Sequence, residues 1–161
     1  VEDYNKNNFQ AIILGSDQGR NVYSKKLFDL VRRYQLNQKI KFIIHCNEMP
    51  IAYSLSDIIV SSSIEPEAFG RVAVESQAME KPIVASDIGG SKETIVNGKS
   101  GFLYKSGDPR ELAKVLNNVM ELDQEALYLI GKEGRKNVTR RFNVEQMCST
   151  TFAEYKKLFK S

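Results

Sequence analysis

Five short runs rich in β-branched and apolar residues, at 10–15, 40–45, 58–61, 82–86 and 101–104, alternate with stretches of helical character at 21–34, 50–55, 70–79 and 91–96. Strand and helix in strict alternation leave few options, because parallel strands need a crossover between them and the crossover helices cover the sheet. The expected fold is α/β, a Rossmann-like parallel sheet with helices on both faces, joined by right-handed crossovers. Asp108-Pro109-Arg110-Glu111 places an N-cap, a proline at N1 and an acid at N3, so a helix is predicted over 109–122. Asn143 with Gln146 repeats the cap signal ahead of a last helix ending near residue 159. Residues 1–8 read as a ragged start, and the 161 residues fit one core of ordinary size.

Within this frame, residues 62–75 (Ser-Ser-Ile-Glu-Pro-Glu-Ala-Phe-Gly-Arg-Val-Ala-Val-Glu) carry the most chemistry. The run Asp57 to Ser61 reads as a strand, and Arg71 to Met79 follows without Gly or Pro, so the segment is strand, loop, helix. Glu67 then lies on the loop, and Glu75 lies inside the helix, about 7 Å beyond its first turn at about 1.5 Å per residue. The first N–H groups of a helix lack internal partners and carry partial positive charge, so a helix opening at Phe69 to Val72 suits a diphosphate without a metal ion. Gly70 allows close backbone approach, and the two carboxylates can accept hydrogen bonds from vicinal hydroxyls. The same acids also suit a plain helix start, and the segment alone does not choose.

Open parallel sheets bind ligands beyond the carboxyl ends of their strands. Gly15-Ser16, His45-Cys46-Asn47, residues 62–70 and Gly89-Gly90 all follow strand ends, and are expected to converge on one crevice. His45 is equally an ordinary polar residue at a strand end, and Arg71 equally a surface ion-pair partner. Other signals fail on context. Gly98-Lys99-Ser100 has Glu93 where a P-loop needs its first glycine, and 15–19 lacks dinucleotide-binding spacing. Cys46 and Cys148 make no metal spacing, so free thiols are expected. The sequon at Asn137 reads as chance.

Glu67 and Glu75 with Phe69-Gly70, then Ala78-Met79, 81–86 (Lys-Pro-Ile-Val-Ala-Ser), Gly89-Gly90, Glu93, Gly98, Gly101-Phe102-Leu103 and Gly107-Asp108, form an ordered string. It closely resembles the retaining glycosyltransferases of family 4, the group 1 glycosyl transferases, from residue 10 to about 159. The resemblance implies the C-terminal, donor-binding domain of a two-domain GT-B enzyme that uses no cofactor and no metal. It implies a UDP- or GDP-sugar donor, with Glu75 on the ribose, Glu67 beside the transferred sugar, and Phe69, Gly70, Arg71 and Val72 on diphosphate and sugar. The loop 45–49, with His45, would hold the base largely through backbone groups, and Gly15 would line the same crevice. The acceptor, a glycan or lipid-linked sugar of cell-surface polysaccharide or lipopolysaccharide synthesis, would sit on an N-terminal domain outside this chain. So would a basic pair that neutralises the diphosphate, and the isolated domain is expected to be inactive. One departure is Glu80, where the family usually has glycine before Lys81-Pro82. A GT-B sugar-nucleotide epimerase and a non-catalytic nucleotide-sugar binding module are the alternatives.

Charge is uneven behind a net of +3. From Gly131 onward eight Lys or Arg face three Glu, a basic end that suits either a solvated helix face or peripheral contact with anionic lipid. The basic residues are not interleaved with stacking aromatics, so nucleic acid is not an expected partner. No run reaches the about 18 to 20 apolar residues of a membrane span, and the start does not read as a signal peptide. The expected location is cytoplasmic.

Overall fold

The computed structural model describes residues 9–16, 19 and 21–159, so the expected ragged start lies outside the described residues. Two compact units divide the chain, one running to Met49 and one from Pro50. In place of one continuous sheet, each unit has its own parallel sheet.

The first unit pairs β1 (Ala11–Leu14) with β2 (Ile40–Ile43), Ala11 beside Ile40 and Leu14 beside Ile43. The crossover is α1 (Asn21–Arg33), which sets Phe28 edge-on to Phe42 with ring centroids 4.5 Å apart. Gln35 takes a left-handed conformation (φ 55°), and the N–H groups of Gln35 and Leu36 return to the carbonyls of Arg32 and Val31. That closes the helix in a Schellman motif, helped by Arg32 and Arg33 beside the negative end of the dipole.

The second unit is built on β3 (Ile59–Ser61), β4 (Ile83–Ser86) and β5 (Phe102–Tyr104), parallel, with β4 in the centre. All four residues of β4 are buried, because alternate side chains serve opposite layers. Ile83 and Ala85 pack with Ala73 and Ile95, on the side of α3 (Arg71–Ala78). Val84 packs with Tyr104 and Val119, on the side of α5 (Pro109–Met120). Fully burying an aliphatic side chain such as Ile83 or Val84 contributes about 1.5–3 kcal/mol, so this short strand anchors both layers. The expected α/β class with helices on both faces holds. Asp108 caps α5 as expected, its carboxylate accepting from the N–H groups of Arg110 and Glu111. Asn143 likewise caps α7 (Val144–Leu158) through the N–H of Gln146.

Between these capped helices lies α6 (Gln124–Arg141), which hydrophobic periodicity does not announce. Its buried residues are Gly131, Gly134 and Val138, with Leu127 packed against the core, so two of its three most buried positions are glycine, which costs helix propensity and adds no apolar signal. Close approach is the reason. A Cβ on Gly131 would overlap the carbonyl oxygen of Glu80, and one on Gly134 would come within 3.1 Å of the Gln77 side chain. Gly131→Ala is therefore expected to cost about 2 kcal/mol or more through backbone displacement, lowering the melting temperature by about 4–8 °C for a chain of this size. Thermal unfolding measures this, and an unchanged melting temperature would contradict the packing described.

Glu80, the departure from the family pattern, falls on the same contact. Its φ of 58° is left-handed, the region that favours glycine. It closes α3, the N–H groups of Glu80 and Lys81 returning to the carbonyls of Gln77 and Ser76. Its carboxylate pairs with Lys132 at 2.9 Å and Arg135 at 3.7 Å, both on α6. The acid therefore gains contacts to α6 that a glycine would lack. The sequon residue Asn137 is also structural, donating to Gln77 Oε1 (3.0 Å) and to the carbonyl of Thr94 (2.8 Å). Buried Gln77 in turn donates to the carbonyls of Ala73 and Thr94, which ties α3, α4 (Gly90–Thr94) and α6 together.

Candidate functional site

The loop after β3 carries Glu67 and Phe69 across the carboxyl end of the second sheet. What shapes it is the turn after β4. Gly90 N–H donates to the carbonyl of Glu67 at 2.8 Å, and a Cβ on Gly89 would lie 2.6 Å from that same oxygen. On Gly90 a Cβ would lie 2.5 Å from the carbonyl oxygen of Phe69 and overlap its carbonyl carbon. Two glycines in a row thus let the loop rest directly on the turn, backbone against backbone. The Glu67 carboxylate accepts a short hydrogen bond from Ser63 Oγ, and the Ser63 carbonyl accepts from Ser106 Oγ at 3.3 Å. Ser106 also lines a hollow of about 430 Å³ with Asp87, Asn97, Tyr104, Lys105 and Glu111. Phe69 is half exposed and stands edge-on to Phe142, centroids 5.5 Å apart.

Gly70 ends the loop in a left-handed conformation (φ 72°, ψ 59°) at the N-cap of α3. It brings no side-chain cap, so no residue of its own covers the helix start. Its carbonyl accepts from the N–H groups of Ala73 and Val74, leaving the earlier amides of the first turn outside the helical ladder. Val72 turns its side chain onto the cluster of Ala73, Ile83, Ala85 and Ile95; a ligand at this end would meet its backbone rather than its isopropyl group. Arg71, with 83% of its side chain exposed, folds back along the helix onto Glu75, placing Nη2 2.8 Å and Nε 3.1 Å from Oε1. Of the two readings left open for Arg71, this structure displays the ion pair.

Glu75 has a second partner. The phenol of Tyr53, on α2 (Met49–Leu55), donates to Oε2 at 2.9 Å. Tyr53 is only 5% exposed, and burial, followed by the Glu75 carboxylate, pushes its pKa well above the usual phenol range. It therefore keeps its proton throughout the neutral range and always donates.

One loop and helix thus hold Glu67, Phe69, Gly70, Arg71, Val72 and Glu75 together. Gly15 and His45 follow β1 and β2 in the first unit, where both are exposed and Gly15 N–H donates to the carbonyl of Ile43 at 3.0 Å. Tyr53 and Ser106 carried no signal in the sequence, because nothing in spacing links Tyr53 to Glu75, 22 residues downstream, or Ser106 to Ser63, 43 residues upstream. Among the described residues, no group of three or more His, Cys, Asp or Glu is placed to hold a metal ion, and no helix is long and apolar enough to cross a membrane. Cys46 and Cys148 are free thiols.

A Rossmann-like unit with a helix start that lacks a side-chain cap, set between two carboxylates, places the class of this protein among open α/β sheets, which take ligands beyond the carboxyl ends of their strands. The chain belongs to the glycosyl transferases group 1, the family that matches residues 2–137. It is similar to the Staphylococcus aureus capsular polysaccharide biosynthesis glycosyltransferase CapM, 26% identical over 136 residues that make up 84% of this chain and 34% of CapM. Among solved structures, Anabaena Alr3699/HepE in complex with UDP and glucose is 31% identical with a TM-score of 0.82, over 90% of this chain and 40% of that one. A glycosyltransferase from Rickettsia africae ESF-5, also 31% identical, has a TM-score of 0.87 over 96% of this chain and 41% of its own. The chain thus spans well under half the length of these relatives.

Proposed function

We propose that this chain is the donor-binding part of a nucleotide-sugar-dependent glycosyltransferase that acts with retention and without a metal. The observation that carries the reading is the start of α3, without a side-chain cap and set between Glu67 and Glu75. Its first amides would receive the diphosphate, and Glu75 would accept the ribose hydroxyls. Glu67, steadied by Ser63, would orient the transferred hexose. As the bond from the anomeric carbon to the diphosphate oxygen breaks, negative charge grows on the leaving group. Amides fixed before the reaction stabilise that charge without reorganising, while an acceptor hydroxyl attacks the oxocarbenium-like sugar from the face the diphosphate leaves and gives its proton to the departing diphosphate oxygen.

Similarity to HepE bound to UDP-glucose favours UDP over GDP as the donor nucleotide. The acceptor would be a glycan or lipid-linked sugar of cell-surface polysaccharide or lipopolysaccharide synthesis, held by an N-terminal domain. CapM, named for capsular polysaccharide biosynthesis, supports that setting. The enzyme would work in the cytoplasm, its basic C-terminal end touching anionic lipid head groups. The 161 residues alone would bind donor and transfer nothing. Calorimetric titration with UDP-glucose and GDP-mannose, with and without EDTA, tests the donor reading. Binding of a UDP-sugar that EDTA leaves unchanged is expected, and binding of neither nucleotide sugar would overturn it. Robust glycosyl transfer by these residues alone would overturn the division of labour.

A further inference from the structure

Both oxygens of Glu75 are engaged, but by groups of different standing. Arg71 approaches Oε1 from solvent and belongs to the same helix as the acid, an i,i+4 pair whose long, largely exposed side chain is free to leave. Tyr53 approaches Oε2 from inside the protein and from another helix, its ring buried and its hydroxyl 2.9 Å from the carboxylate. A carboxylate has about four lone-pair sites, so the phenol occupies one and leaves the outward sites of both oxygens able to accept. A glutamate with three free torsions would otherwise sample several rotamers, few of them suited to a vicinal diol.

We propose that Tyr53 is a positioning residue for donor binding, fixing the Glu75 carboxylate from behind so that it meets the ribose 2′- and 3′-hydroxyls of a uridine nucleotide. The inference rests on the proposed ribose-binding role of Glu75. Tyr53 itself touches no ligand. Its phenol sets one torsional state of the acid before the nucleotide arrives, and its proton cannot be lost to the carboxylate at neutral pH. Arg71 then shields the charge in the free protein and yields its place to the diol.

The test uses Tyr53→Phe, which keeps the buried ring and removes only the hydroxyl, with UDP and 2′,3′-dideoxy-UDP as probes. For the unaltered protein, UDP is expected to bind more tightly than the dideoxy analogue. Tyr53→Phe is expected to weaken UDP by about tenfold, the scale of one hydrogen bond to a charged group, and to leave the analogue's dissociation constant unchanged. In a Glu75→Ala background the same replacement is expected to cost no further affinity. Equal weakening of UDP and the analogue, or no weakening of either, would overturn the positioning role. If the unaltered protein binds both probes equally, the ribose reading of Glu75 fails first and the proposal falls with it. Should Tyr53→Phe not fold, the Tyr53→Phe/Glu75→Ala pair measured against Glu75→Ala decides the matter, since a further loss of UDP affinity there would overturn the role.

Discussion

Glu75→Ala is expected to weaken binding of a UDP-sugar by about a hundredfold, the value of two hydrogen bonds to a charged group. The reasoning starts from the carboxylate's position, part-way along α3 and beyond the amides that would hold the diphosphate. Removing it deletes both acceptors for the diol and frees Arg71 from its pair at 2.8 Å. It also leaves the Tyr53 hydroxyl, now bonded to Oε2, without that partner. An unsatisfied buried donor costs about 1–3 kcal/mol, so a measurable fall in melting temperature should accompany the loss of affinity. Glu75→Gln separates the two effects: its amide oxygen can still accept from Tyr53, sparing stability, while the lost charge still weakens the diol contact. Calorimetry and thermal unfolding on the two variants check both parts. Unaltered UDP-sugar affinity in Glu75→Ala would remove this acid from the site.

Gly90→Ala is expected to act from the opposite direction, by moving the site rather than deleting a contact. The added methyl would lie 2.5 Å from the carbonyl oxygen of Phe69, far inside contact distance and against backbone, which has no rotamer to escape into. The loop must lift from the turn, breaking the hydrogen bond from Gly90 N–H to the Glu67 carbonyl at 2.8 Å. Overpacking of this kind costs about 3 kcal/mol when relief requires main-chain movement. The displaced residues are Glu67 and Phe69, so donor affinity should fall along with stability. Lowering the temperature until the variant is fully folded tests the distinction, since a purely global effect would then restore wild-type affinity. Persistence of the affinity loss in the folded variant is the expected result. An unchanged melting temperature would contradict the packing of loop on turn.

Where local chemistry and tertiary demand agree, the sequence was legible. Asp108 and Asn143 announce their helices because a cap is made by neighbours in the chain, and both bonds form as expected. Residues 83–86 read as a strand because a centre strand buried on both faces needs four consecutive residues able to lie inside. α6 was harder to read, although Asp123 caps it through the N–H of Ala126. Two of its three buried residues, Gly131 and Gly134 beside Val138, signal a helix neither by propensity nor by apolar period. Their meaning lies in Glu80 and Gln77, some 50 positions earlier in the chain.

The candidate site divides along the same line. Glu67, Phe69, Gly70 and Glu75 could be placed from their order, because a strand followed by a loop and a helix puts them at one sheet end whatever the rest of the chain does. Their partners could not. Spacing says nothing of a phenol reaching Glu75 from α2 or of glycines after β4 bearing the Glu67 loop, whereas the i,i+4 pair of Arg71 and Glu75 lies within one helix. The sequence by itself determined the alternation, the caps, the central strand and the two acids around a helix start, all set by contacts within a few residues. Only the tertiary structure decided which distant groups support the acids, the Tyr53 phenol on Glu75 and the Gly89-Gly90 turn under the Glu67 loop, because those contacts join segments whose approach depends on packing rather than on chain order.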